Sequence, residues 1–140
     1  MNAPTGCNYC DKGEAHAAYS YPICDLSVSE LLLFREQSHP GRVIVAHKRH
    51  VDDLMDLDDA ERAAFFADVA KAARAIKVLF KADKINYGAY GDLVRHLHFH
   101  LVPKYRDQFE WGGIFAMNPA KNVPGDKECE ELAAKIRAAL

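Results

Sequence analysis

The sequence lacks any long apolar run. No segment of its 140 residues approaches the ~18 consecutive apolar residues that a membrane-spanning helix requires. The opening residues, MNAPTGCNYC, also lack the basic start and the apolar centre of a secretory signal. We therefore expect a cytoplasmic protein without a membrane partner.

An excess of charge of one sign is also missing. The chain has 18 lysine and arginine residues against 20 aspartate and glutamate residues, which gives a formal net charge of -2. This balance offers no strongly basic surface to attract nucleic acid, and we expect no nucleic-acid partner. If the ligand is an anion, a few local groups must hold it.

Cysteine is scarce, with four residues in the chain. A cytoplasmic location keeps thiols reduced, so the sequence predicts no disulfide framework. Cys7 and Cys10 have the C-x-x-C spacing that indicates metal or redox chemistry. Redox motifs of this kind follow a strand and open a helix, whereas no strand is predicted before Cys7. A metal site is therefore favoured over a redox pair or two unmetallated thiols, and Cys24 and Cys129 are interpreted as plain thiols.

Short apolar segments separated by turns predict the strands. The arms of a hairpin are predicted at AYSYPICDL and ELLLFRE, and three further strands at RVIVAH, KINYGAYGD and RHLHFHLVPKY. The first fifteen or so residues are rich in turn formers and predict an irregular loop. His16, His39 and His47 are interpreted as surface or turn residues.

Two helices complete the predicted fold. Residues 57–83 place Phe65, Val69 and Ile76 on one apolar stripe, and residues 126–140 form a second helical pattern at the end of the chain. Asp58 or Asp59 can cap the first of these helices. Strands that follow one another, interrupted by one long helix, indicate an α+β fold with a mostly antiparallel sheet. The length fits one domain over residues 1–140.

Three of the seven histidines, His96, His98 and His100, lie at every second position of HLHFHLVP. On a strand they share one face, and the apolar residues between them face the core. An exposed polar face and a three-histidine zinc site are two possible interpretations, but His96 and His100 would lie ~13 Å apart along a regular strand, too far to share a metal. A neutral imidazole that attacks phosphorus, assisted by neighbouring rings that hydrogen-bond phosphoryl oxygens, is the third interpretation and the favoured one.

The segment HLHFHLVPKY resembles the H-x-H-x-H signature of the histidine triad (HIT) superfamily. HPGRVIVAHKRHVDDL, INYGAYGDLVRH and CNYC also resemble family segments, and they occur in the expected order. The motif-bearing core spans about residues 7–105, followed by a tail and helix over 106–140. The chain is most similar to bacterial members with a zinc-binding C-x-x-C, in the branches of diadenosine tetraphosphate hydrolases and nucleoside phosphoramidate hydrolases.

The resemblance implies a role for each residue that matches a family motif. His98 would be the nucleophile on the α-phosphorus of a nucleotide, with His100 as its hydrogen-bonding partner and Asn86 near the phosphates. The family fold is an antiparallel sheet with helices, usually paired as a homodimer. The implied ligands of a structural zinc ion are Cys7, Cys10, His50 and His96. The implied activity is hydrolysis or transfer of a nucleotidyl group through a covalent nucleotidyl-histidine.

The sequence departs from the family pattern around the phosphate site. Gly91-Asp92-Leu93 stands where many members have Gly-Gln-Ser or Gly-Gln-Thr, which places Asp92 at the expected phosphate site. Arg42 stands where histidine is common and is a candidate phosphate-binding residue that adds positive charge at the pocket. Glu36 is the candidate for ribose binding, although Arg35 is an alternative. Because Asp92 repels phosphate and Leu93 cannot donate a hydrogen bond, a nucleotide-binding or scaffolding protein with vestigial catalysis is the alternative function.

Overall fold

A five-stranded antiparallel sheet is the centre of the fold in this computed structural model, which describes residues 5–140. The strands are β1 (Ser20–Asp25), β2 (Ser29–Phe34), β3 (Val43–His47), β4 (Lys84–Ala89) and β5 (His98–Lys104). They lie in the order β1-β2-β3-β5-β4, and each neighbouring pair is antiparallel. The predicted hairpin is the β1–β2 pair, and the predicted α+β class is confirmed.

Four α-helices and one short 3-10 helix lie around the sheet. They are α1 (Asn8–Asp11), α2 (Glu14–Ala17), the 3-10 helix (Leu54–Asp56), α3 (Asp59–Leu79) and α4 (Asp126–Ala139). Asp58 accepts a hydrogen bond from the backbone N–H of Glu61 at 2.8 Å and so caps α3, as one of the two predicted residues. No helix in the described part of the chain combines the length and the apolar character needed to cross a membrane.

The two faces of the sheet bury different sets of side chains, because neighbouring residues of a strand point in opposite directions. The helix-covered face contributes Leu31, Leu33, Val43, Val45, Phe99 and Leu101 to one cluster with Phe65, Val69, Ile76 and Ile136 of α3 and α4. The other face carries a smaller cluster of Tyr9, Leu32, Phe34, Ile44 and Ala46. His98 and His100 lie on this second face, opposite Ala46 and Ile44 of β3.

Two details of the predicted secondary structure are wrong. Strand β5 begins at His98, so His96 precedes the strand, where its backbone N–H donates to the carbonyl of Val94 at 2.9 Å. The predicted N-terminal loop contains the short helices α1 and α2 within its described part, while residues 1–4 lie outside the described residues. Both helices are only four residues long, which is too short for a periodic apolar pattern to reveal.

Three histidines interpreted as surface or turn residues are buried: His16, His39 and His47. His39 does lie in the turn between β2 and β3, as expected, whereas none of the three is on the surface. The ring of His16 packs against Tyr9, with 5.1 Å between ring centroids, and that of His39 stacks on Phe109 at 4.5 Å. These aromatic contacts explain the burial, and spacing within the chain does not indicate them.

Candidate active site and metal centre

The ring of His98 is held by one short hydrogen bond. Its Nδ1 lies 2.6 Å from the carbonyl oxygen of His96, which can only accept. Nδ1 therefore carries the proton, and the lone pair of the neutral ring is on Nε2. Burial lowers the pKa of His98, so the ring is neutral at neutral pH. His98 thus has the protonation state that a nitrogen nucleophile needs.

A cavity of about 440 Å³ opens in front of His98 and His100, whose ring centroids are 5.4 Å apart. Its walls are mostly aromatic and apolar. They comprise Tyr9, Tyr19, Phe34, Tyr90, Gly91, Asp92, Leu93, Val94, Met117 and Asn118, besides the two histidines. A cavity of this size, with a few polar groups in an apolar wall, is typical of a small-molecule site.

His100 is held by a buried arginine. The guanidinium Nη2 of Arg42 lies 3.3 Å from Nδ1 of His100, and Nη1 lies 3.3 Å from the carbonyl oxygen of Ala116. Arg42 is fully buried and does not line the cavity. Burial, the charge of Arg42 and the neighbouring His98 lower the pKa of His100 to about 3, which keeps this ring neutral as well.

A second cluster lies beside the first and comprises two thiols and two imidazoles. One ligand atom from each of Cys7, Cys10, His50 and His96 lies within 4.8 Å of all the others, an arrangement that could hold a metal ion. The Sγ atoms of Cys7 and Cys10 lie 3.3 Å and 3.5 Å from Nδ1 of His96, and the two histidine Nδ1 atoms are 3.2 Å apart. A tetrahedral ion with bonds of ~2.0–2.3 Å separates its ligand atoms by about 3.3–3.8 Å, so this set fits zinc in both chemistry and spacing.

The neighbours of the cluster also suit a metal. Nε2 of His96 lies 2.7 Å from the carbonyl oxygen of His47 and donates to it, which leaves the lone pair of Nδ1 directed at the cluster. Burial and the Cys7 thiol raise the pKa of Cys10 to about 11. A thiol with this pKa is protonated at neutral pH, whereas a bound cation would deprotonate it.

Tyr9 links the two clusters. It lies within the C-x-x-C, between the two cysteines, and its buried ring is 4.7 Å from that of His98 and 5.3 Å from that of His96. The sequence analysis did not identify Tyr9 as a site residue. Its position between Cys7 and Cys10 could have indicated this role. If both cysteines and His96 bind one metal, Tyr9 is brought close to the histidine segment.

The residues that depart from the family pattern lie at the mouth of the cavity. Asp92 and Leu93 both line it, and Leu93 is 96% exposed. Arg95, three residues after Asp92, donates to Asp52 from its Nε at 3.0 Å. Asp92 therefore lies at the cavity mouth while the guanidinium of Arg95 is paired with another carboxylate.

Like Arg42, the predicted nucleotide-binding residues Asn86 and Glu36 do not line the cavity. Asn86 lies on β4 beside Val102, and its side-chain oxygen accepts from Nζ of Lys104 at 3.4 Å. The buried Glu36 carboxylate accepts from the backbone N–H groups of Lys121 and Asn122 at 2.8 Å and 3.0 Å. Glu36 thus holds the C-terminal tail in place. Asn86 lies on the same face of the sheet as His98 and His100 but outside the cavity in front of them.

The three-histidine zinc site, the interpretation that strand geometry disfavoured, has no counterpart among the described residues. His96 turns towards the two cysteines, whereas His98 and His100 face the cavity and belong to no metal-binding group in the part of the chain that the structure describes. The histidine-rich segment is therefore divided between two centres.

Comparison with protein families identifies the family of this chain. The family model described as HIT domain matches residues 23–107, more than half of the chain. The chain belongs to the HIT family. An AP-4-A phosphorylase of Mycobacterium tuberculosis is 38% identical over 108 residues, which cover 73% of this chain and 51% of that protein. An asymmetrical bis(5'-nucleosyl)-tetraphosphatase of Schizosaccharomyces pombe is 31% identical over 88 residues, covering 59% and 48%. The chain thus spans about half the length of these relatives.

Solved structures of HIT proteins share the fold. A histidine triad protein from Sinorhizobium meliloti superposes with a TM-score of 0.82 at 24% identity, covering 91% of this chain and 95% of that one. A zinc-bound histidine triad family protein from Mycobacterium smegmatis superposes with a TM-score of 0.68 at 23% identity, covering 95% and 91%. The predicted family and its fold are confirmed.

Proposed function

We propose that this HIT protein hydrolyses or transfers the nucleoside monophosphoryl group of a nucleotide, with His98 as the nucleophile. The observation that carries the proposal is the fixed tautomer of His98, whose Nδ1–H is bonded to the carbonyl of His96 while the ring lines the cavity. The relatives named for acting on dinucleoside polyphosphates support this substrate class.

The reaction has two steps. Nε2 of His98 attacks the α-phosphorus, a P–N bond forms, and the bond to the leaving group breaks with its electron pair going to the leaving atom. Water, or a second acceptor in a transferase, then attacks phosphorus and releases a proton to solvent, and the P–N bond breaks with its electron pair returning to Nε2. A neutral imidazole suits both steps, since it is nucleophilic before attack and a good leaving group after it.

His100, three tyrosines of the cavity wall and Asn86 contribute binding. The N–H of His100 supplies a hydrogen bond to a phosphoryl oxygen as charge develops there. The rings of Tyr9, Tyr19 and Tyr90 offer aromatic surfaces on which a nucleobase can stack. Asn86 is assigned to the distal end of the phosphate chain, because it lies on the histidine face beyond the cavity.

We further propose that zinc is the metal of the cluster at Cys7, Cys10, His50 and His96. Two thiolates and two neutral imidazoles balance its charge and complete a closed tetrahedral shell, which is the pattern of a structural site. Bound zinc would supply a cross-link and no catalytic water. The zinc-bound HIT structure with the same fold supports this assignment.

Association into a homodimer through β4 is proposed from the sheet and the family. Strand β4 is at one end of the strand order, and the side chain of Tyr87 on it is 52% exposed. An edge strand of this kind can pair with a second copy. Sedimentation velocity would report the dimer, and a monomer at micromolar concentration would contradict it.

A binding protein with weak catalysis is the second candidate. The observation that favours it is the exposed Leu93 at the cavity mouth, where the family offers a hydroxyl donor. Such a protein would bind adenine nucleotides without releasing a leaving group.

Intact-protein mass spectrometry distinguishes the two candidates. The wild type, His98→Ala, His100→Ala and the control His39→Gln, which replaces a histidine outside the cavity, are incubated with diadenosine tetraphosphate and with an adenosine phosphoramidate. We expect the mass of one adenylyl group on the wild type and on His39→Gln, none on His98→Ala, and turnover in His98→Ala lower by about 10⁴-fold or more. Binding without an adduct or released AMP in the wild type would favour the binding protein.

A further inference from the structure

Arg42 is a buried cation whose partners carry no negative charge. Its side chain is fully buried, with the guanidinium 4.0 Å above the ring of Phe34 and 5.2 Å from that of Phe115. Its polar contacts are the carbonyl oxygen of Ala116, the thioether of Met117 at 3.3 Å and Nδ1 of His100. Burial of a guanidinium is costly, and it lowers the pKa of Arg42 to about 10. The group is still charged at neutral pH.

The contact with His100 determines where the proton of that ring is. A guanidinium can donate hydrogen bonds and cannot accept them. At 3.3 Å from Nη2 of Arg42, Nδ1 of His100 must therefore be the acceptor, so the single proton of the neutral ring lies on Nε2. His98 has the opposite arrangement, with the proton on Nδ1. The two neighbouring rings thus offer the cavity one lone pair and one N–H.

The remaining neighbours of His100 do not compete for its Nδ1. The ring centroids of His98 and Tyr90 lie 5.4 Å and 6.4 Å from that of His100, and Phe34 packs edge-on at 5.6 Å. A histidine at position 42 could either donate to this nitrogen or accept from it, and would leave the tautomer of His100 undetermined. Arginine removes that ambiguity.

We propose that Arg42 is a positioning residue that fixes His100 as the neutral Nε2–H tautomer, so that His100 serves the phosphoryl group as a permanent hydrogen-bond donor. The part of this inference that concerns the phosphoryl group rests on the proposed function. In this role His100 does not deliver its proton to the leaving group. Arg42 itself contacts no substrate. This role differs from the phosphate-binding role that its position in the sequence indicates.

The tautomer can be measured without any substrate. Two-dimensional ¹H–¹⁵N NMR of the histidine-labelled protein at neutral pH distinguishes protonated from unprotonated ring nitrogens, and the spectrum of His100→Ala assigns the signals. We expect Nε2–H on His100 and Nδ1–H on His98 in the wild type. Nδ1–H on His100 would overturn the proposal, whether or not any variant folds.

Two variants test whether Arg42 is the cause. Arg42→Lys keeps a cationic group that donates and cannot accept, and Arg42→Met fills similar space without a donor. We expect Arg42→Lys to retain Nε2–H on His100 and Arg42→Met to show a mixture of both tautomers. A folded Arg42→Met with the tautomer of the wild type would show that the arginine is only structural. If Arg42→Met does not fold, a tautomer mixture in Arg42→Lys would overturn the proposal.

Kinetics provide the second readout. With the substrate that the wild type uses best, Arg42→Met should lower kcat by about 10²-fold with little change in KM, because a lost donor to the developing charge acts mainly in the transition state. Arg42→Lys should recover most of this loss, and equal kcat values for Arg42→Met and the wild type would overturn the proposal. Absence of turnover by the wild type with every substrate would refute the proposed function and leave the tautomer result to decide the role of Arg42.

Discussion

At the scale of single residues, the site depends on where two protons are. His98 and His100 are identical side chains two positions apart, yet one donates from Nδ1 to a carbonyl and the other accepts at Nδ1 from a guanidinium. Neither assignment is visible in the spacing of HLHFH, since both depend on groups that come from the turn before β5 and from position 42. The spacing predicts which residues meet, and the tertiary contacts determine what each can do.

Asp92 gives a prediction at this scale. Its carboxylate lines the cavity mouth while Arg95 pairs with Asp52. Asp92→Asn removes a negative charge near the path of an anionic substrate, and a repulsion of about 1 kcal/mol corresponds to a gain in kcat/KM for diadenosine tetraphosphate of about fivefold. The gain should shrink at high salt. Initial rates at two ionic strengths measure it, with Glu131→Gln on α4 as the control, and an unchanged or lower kcat/KM would contradict the prediction.

At the scale of secondary-structure elements, α1 is held in place by its neighbours. The helix has four residues, a length that is unstable by itself in water. Cys7 and Cys10 tie it to His50 and His96, and Tyr9 packs on the histidine strand. The element therefore depends on the metal cluster for its position.

Removal of the metal should loosen this element. Cys10→Ser should lose bound zinc and lower the Tm by about 10 °C or more, because structural zinc contributes directly to folding free energy. Cys24→Ser changes a thiol outside the cluster and should keep one zinc per chain, with a Tm within about 2 °C of the wild type. Metal analysis by mass spectrometry and thermal unfolding measure both effects. Full zinc content or an unchanged Tm in Cys10→Ser would be inconsistent with a structural site.

At the scale of the whole molecule, the sequence predicted the fold better than the surroundings of the site. Period-two alternation correctly separated Leu97, Phe99 and Leu101, which face the helices, from the histidines. Burial of His16, His39 and His47 escaped prediction, and so did the return of the tail to line the cavity with Met117 and Asn118. These features depend on contacts between distant segments, which no local pattern encodes.

The buried histidines predict how the stability of the whole chain depends on pH. Burial lowers the pKa of His16, His39, His98 and His100 in the folded state. The unfolded chain therefore binds more protons once the pH falls below about 6.5. The free energy of unfolding must then decrease on acidification, by at most ~1.4 kcal/mol per pH unit for each histidine that stays neutral.

Urea unfolding between pH 7.5 and pH 5.0 tests this dependence. The carboxyl groups with lowered pKa values, such as Glu36, lose their contribution only at lower pH, so histidine dominates the interval. His39→Gln removes one titrating ring and should reduce the slope. Equal urea midpoints at both ends of the interval would show that the buried rings do not control stability.

Tyr9 lies between two of the proposed zinc ligands and also forms part of the cavity wall, so we expect metal binding and nucleotide binding to be thermodynamically linked. A nucleotide that rests on this ring gains affinity when a metal holds the ring in place. By reciprocity, the same nucleotide must increase the affinity for the metal by the same factor. A low concentration of metal would then lower the occupancy of the nucleotide site, and a low concentration of nucleotide would lower the occupancy of the metal site.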